Sequence, residues 1–186
     1  AKPQEIGWRN TLPEGQIWQW LLPAKDMAKF ESDASIRPFA GEAQAKIRAW
    51  RQGGFFKKLE KHEVQLVQKL SKVAEALFQQ VAYDLEKTRI SSNDEITIWP
   101  DHEMTGNKRM DFHAKAKLTA HLVGDDHATN TLPYKRLKTA MDAWCALWLW
   151  PLDQADKLPS RLEFLNGMAM ILEGGFSADG SLEAPS

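Results

Sequence analysis

The stretch that decides the fold is residues 60–89, EKHEVQLVQKLSKVAEALFQQVAYDLEKTR. Val67, Leu70, Ala74, Leu77, Val81 and Leu85 recur at alternating intervals of three and four, flanked by Val64, Val73 and Phe78. Such spacing puts the apolar side chains on one side of an α-helix, in a seam suited to packing along another helix. Lys69, Lys72, Glu75, Gln79 and Gln80 fall on the other face. Ser91-Ser92-Asn93-Asp94 then breaks the pattern, because these side chains compete for backbone hydrogen bonds.

Upstream, Ala40, Ala43, Ile47 and Trp50 share a helical face, and Gly53-Gly54 ends that helix through glycine's tolerance of the left-handed conformation. Ile17-Trp18-Gln19-Trp20-Leu21-Leu22, closed by Pro23, is short and rich in aromatic and branched residues. It reads as a strand, with a short helix as the competing reading. Ile96-Thr97-Ile98-Trp99 before Pro100 is a candidate second strand. Downstream, Met110, Ala114, Leu118 and Leu122 mark a helix ended by Gly124. Tyr134 to Trp150 is the most apolar stretch, and is apolar on nearly all sides from residue 143 onward. This predicts a buried helix at the centre of the core, with Pro151 ending it. Ser160-Arg161-Leu162-Glu163 is a capping box opening a last helix, for which Gly174-Gly175 supplies the stop. The expectation is a mainly α, bundle-like domain with one or two short β-strands near its N-terminal half. It divides into an arm with a short strand over 1–38, a helical domain over 39–176 and a disordered tail over 177–186.

Composition bounds function. A chain of 186 residues fits one domain and can bury a sizeable core without staples. Eight tryptophans supply large rigid surfaces that must be buried or held against a partner. The net charge of −1 argues against a dedicated nucleic-acid domain, which carries a clear basic excess. The lone Cys145 rules out an internal disulfide and points to a reducing compartment, hence a cytoplasmic protein. Set among Trp144, Ala146 and Leu147, it reads as buried and inert. No apolar run approaches membrane-spanning length, and no signal peptide is evident.

Motifs for chemistry are missing. The histidines show no metal-ligand spacing, and His121, His127 and Asp125/Asp126 read as solvated loop residues rather than a metal site. No phosphate loop, dinucleotide fingerprint or nucleophile elbow is present. An enzyme site would need His102, Glu103, Asp111 and His113 to converge, which their spacing does not require.

One charge pattern stands out. Residues 42–72 carry a net +5, with Lys46, Arg48, Arg51, Lys57 and Lys58 interleaved with Trp50, Phe55 and Phe56. These cations are candidate phosphate contacts, and Trp50 or Phe55 a packing or stacking group. The competing reading is a solvated helix face. The −4 balance of residues 151–186 favours that reading, since the two regions can neutralise each other.

Pro133-Tyr134-Lys135-Arg136-Leu137-Lys138, Met141 through Pro151 and Leu158-Pro159-Ser160-Arg161 form a Trp-rich helical signature. Together with Phe39-Ala40, Ile47-Arg48-Ala49-Trp50-Arg51, Trp20-Leu21-Leu22-Pro23 and Met27-Ala28, it resembles a segment of the very large bacterial N6-adenine DNA methyltransferases of restriction-modification and phage-defence systems. The resemblance covers most of residues 17–176. In that family an Asn-Pro-Pro-aromatic loop is catalytic and a Gly-rich loop binds S-adenosylmethionine. Neither occurs here: Thr131-Leu132-Pro133-Tyr134 has a single proline and opens a helix. The resemblance therefore implies a non-catalytic accessory segment with no cofactor of its own, whose partners are the rest of the parent polypeptide and DNA. A protein–protein scaffold that binds no nucleic acid is the rival reading.

Overall fold

The computed structural model describes residues 4–7, 10–93, 110–124 and 132–174. The described residues are mainly helical and contain no strand. In chain order the α-helices are α1 (Arg37–Gln52), α2 (Lys61–Ser92), α3 (Phe112–Val123), α4 (Pro133–Ala146) and α5 (Arg161–Glu173), with short 3-10 turns between some of them.

The axis of the interior is α2. Its seam is buried at Val67, Leu70, Ala74, Leu77 and Val81, and α3, α4, α5 and the 3-10 turn Gln19–Leu21 all pack against it. From α5, Phe164, Leu165, Met168 and Leu172 complete the same cluster. Leu137, Ala140 and Leu147 enter it from α4 and the turn that follows. A smaller cluster of Ala28, Ile47 and Ala155 ties α1 to the 3-10 helix Leu152–Lys157, and the Trp50 ring packs against both clusters.

Both ends of the bundle are locally specified. At the start of α5, the Glu163 amide donates to Ser160 Oγ, and the Ser160 amide donates back to the Glu163 carboxylate at 2.7 Å. The same box opens α2, where Glu60 stands in the cap position and its amide donates to Glu63 Oε2 at 2.7 Å. Gly174 ends α5 in the left-handed region at φ +86°. A Cβ there would meet only the Arg136 guanidinium, the movable end of a flexible side chain, so it is the backbone that calls for glycine.

Four expectations are corrected. First, Ile17–Leu22 is no strand: Gln19–Leu21 forms a 3-10 turn. Among the described residues no strand is available to pair with it, so its backbone is satisfied otherwise. Leu21 N donates to Trp18 O, Trp18 N to Ser71 Oγ, and the Trp144 indole to Leu22 O. Its apolar residues reflect wedging between α2 and α4, not a pleated face. Second, α4 is not the centre of the core. The helix stops at Ala146 and its apolar run continues into a turn, so the all-round apolarity mixed two conformations. Met141 is 48% exposed and Leu149 81%. Third, Cys145 is exposed rather than buried, on the outer side of that helix. Fourth, Gly53 ends α1 in extended backbone (φ −76°, ψ −163°), not in the left-handed region. The candidate strand at 96–99, most of the His121/Asp125/Asp126/His127 group and the tail over 177–186 lie outside the described residues.

Candidate functional site

The cations of residues 42–72 separate into neutralised and outward groups. Lys46, on α1, meets Glu42 at 2.9 Å and Asp156 at 2.9 Å. Its hydrogen bonds to Asp156 and then Glu42 raise its pKa from the ordinary lysine value. Lys69 pairs with Glu173 at 2.6 Å. The basic and acidic regions thus meet in space at two points. Arg51 is partly buried, and its guanidinium donates to Lys25 O at 2.9 Å. Arg48 lies on the exposed side of α1. Lys57 and Lys58 are exposed at the turn between α1 and α2, and Lys61 is exposed at the start of α2.

The aromatic groups of the same segment face inward. Phe55 is 3% exposed and packs on Phe164 with ring centroids 5.8 Å apart. Trp50 lies between Phe55 and Phe56, at 4.5 and 5.1 Å, and its indole donates to Pro159 O at 2.8 Å. In this arrangement Phe55 has no face to offer a nucleic-acid base. The structure therefore brings Lys57 and Lys58 together on the surface, while Trp50 and Phe55 belong to the interior beneath them.

What holds that turn in place was missed from sequence. Arg161, the first residue of α5, donates through Nε to Glu63 Oε1 at 2.8 Å. Its Nη1 donates to Gly54 O at 3.0 Å and Lys57 O at 2.8 Å. Both members of the ion pair are nearly enclosed, with side chains 14% and 10% exposed. Burial alone would push the Glu63 carboxyl up. The Glu60 amide and the Arg161 guanidinium outweigh it and hold the group below its ordinary value of 4.5. The only signal in the sequence is Glu63 three residues after Glu60, since its partner lies 98 positions away.

A carboxyl held below its ordinary value contributes stability that is complete above the unfolded-state pKa and is lost as pH falls through the depressed folded-state value. Thermal unfolding followed from neutral pH downward should therefore show a loss beginning near the ordinary glutamate range and continuing below it. Glu63→Gln should flatten that part of the profile. An identical acid limb in wild type and variant contradicts the assignment.

The outer edge of α4 carries the other unusual surface. Met141, Cys145 and Ala146 are exposed on α4 and Leu149 in the turn after it, beside a Lys138–Asp142 ion pair. No cluster of metal-ligating side chains occurs among the described residues. Asp111 caps α3 by accepting from the His113 amide, while His102 and Glu103 lie outside the described residues. No helix among the described residues is long and apolar enough to cross a membrane.

Comparison with known protein families, curated proteins and solved structures finds no match. What this surface does must be argued from its residues.

Proposed function

We propose that this chain is a non-catalytic helical accessory domain of an N6-adenine DNA methyltransferase of a restriction-modification or phage-defence system. It packs on the catalytic part of its parent and touches the DNA backbone beside it. The observation that carries this reading is the exposed apolar edge of Met141, Cys145 and Leu149, which lies within the residues that carry the resemblance. An apolar edge left on an otherwise packed helix marks a contact surface more readily than isolated exposed side chains do. S-adenosylmethionine would bind elsewhere in the parent, in the reducing setting of the cytoplasm.

The test is the reading frame on either side of this chain. An Asn-Pro-Pro-aromatic loop and a Gly-rich cofactor loop in the same frame are expected. A flanking frame without them overturns the reading.

Lys57 and Lys58 favour the DNA contact, because they are exposed on a turn whose carbonyls Arg161 braces. Duplex affinity should fall steeply with salt as lysines release counterions. Lys57→Glu with Lys58→Glu should lower the slope of log affinity against log salt by about 2 and leave the melting temperature nearly unchanged. The neutralised Lys46 and the inward Phe55 favour the rival scaffold reading. A flat salt response in the wild type would select it.

A further inference from the structure

We propose that Arg161 and Glu63, which touch no DNA themselves, set the affinity of the Lys57–Lys58 turn for duplex phosphates by fixing its backbone before binding. The inference rests on the DNA contact proposed above and names the groups that control it.

Attraction between exposed lysines and phosphates is spent in part on ordering whatever backbone carries them. Here that backbone is already fixed. Phe55 anchors it in the core against Phe164, and Phe56 stands edge-on to the Trp50 ring. The Lys57 amide donates to Gly54 O at 3.2 Å. Arg161 Nη1 closes the turn from the other side, donating to Gly54 O at 3.0 Å and to Lys57 O at 2.8 Å. Gly54 O therefore accepts twice, and the main chain of Lys57 is held directly. Lys57 leaves the turn in extended backbone (φ −65°, ψ 159°), so its side chain and that of Lys58 diverge. Both are exposed, and among the described residues neither ammonium group meets a carboxylate. They are placed to reach separate phosphates while the chain between them stays fixed.

Arg161 holds the turn because Glu63 holds Arg161. Glu63 Oε1 accepts from the guanidinium Nε at 2.8 Å, and Oε2 accepts from the Glu60 amide at 2.7 Å. Both carboxylate oxygens are in use, one for the start of α2 and one for the grip. The planar guanidinium serves Glu63 and two carbonyls at once, which a single ammonium cannot do from one position. The Trp50 ring beneath the turn is packed between Phe55 and Phe56 with its indole N–H on Pro159 O, so stacking on bases cannot replace lost placement. Affinity then follows the geometry of the turn, and charge alone predicts a different response.

The experiment measures duplex affinity of the intact chain across a salt series for wild type, Arg161→Lys and Glu63→Gln, each well below its melting temperature. Arg161→Lys keeps the charge, so charge alone predicts no change. Glu63→Gln removes a negative charge from beneath the turn, so charge alone predicts tighter binding. It also leaves one acceptor oxygen where the carboxylate uses two, so the cap of α2 or the grip on Arg161 is lost. Both variants should instead bind about threefold to tenfold more weakly, the cost of ordering one or two residues at the moment of contact. The Lys57 amide should exchange with solvent more slowly in the wild type than in either variant, a readout that needs no DNA. A wild-type chain without salt-dependent duplex binding removes the proposed DNA contact and this inference with it. Wild-type binding that both variants match or exceed overturns this inference alone, as does a wild-type Lys57 amide that exchanges at the unfolded-chain rate.

Discussion

Leu70→Ala should lower the free energy of unfolding by about 3–5 kcal/mol. Leu70 is fully buried in the N-terminal third of α2, in the cluster that residues of α4, α5 and the Gln19–Leu21 turn also enter. Removing its branched end loses transfer free energy and leaves a cavity that surrounding helices cannot close without moving together. The control is Leu149→Ala. Leu149 is 81% exposed, so its loss should cost within about 0.5 kcal/mol. Urea unfolding of both variants reads the difference directly. A costly Leu149→Ala beside a mild Leu70→Ala would restore the C-terminal apolar run to the centre of the core.

Arg161→Ala should cost about 3 kcal/mol. The cost comes less from the lost attraction than from what the change strands: a nearly enclosed Glu63 carboxylate and two carbonyls, of Gly54 and Lys57, that shared one guanidinium. Arg161→Lys should recover only part of this, because a single ammonium cannot reproduce the planar fork. Pairing Arg161→Ala with Glu63→Gln should cost less than the sum of the two, since the stranded charge is then gone. Strict additivity in that double-mutant cycle would mean the pair makes no contact in solution.

The two predictions mark what the residues disclosed and what they hid. The α2 seam from Val67 to Val81 was legible because three-and-four spacing over many turns has no other reading, whereas Leu85, placed last in the same stripe, is 49% exposed. The Ser160–Glu163 box and the Gly174 stop were legible because each is a local motif whose geometry follows from its residues. Ile17–Leu22 was not, since a short run of aromatic and branched residues is equally apolar as a strand or as a wedge between helices. Only the position of α2 and α4 decides between them. The exposure of Met141, Cys145 and Leu149 was hidden for a related reason: composition tells how apolar a segment is, not how many neighbours surround it. The charges around the lysine turn could be counted in advance. The partners of Lys46 and Lys69 could be anticipated only as regions of opposite sign, and Arg161 gripping Glu63 depends wholly on tertiary placement.

The account rests on the tryptophans among the described residues being interior fill rather than reactive or base-stacking groups. The direct measurement is hydrogen exchange at the indole N–H groups of Trp50 and Trp144, which donate to Pro159 O at 2.8 Å and Leu22 O at 2.9 Å. Both should exchange orders of magnitude more slowly than in the unfolded chain, opening together with the central amides of α2. Indoles that exchange at the unfolded rate, while α2 stays protected, would show these rings facing solvent and would contradict the account.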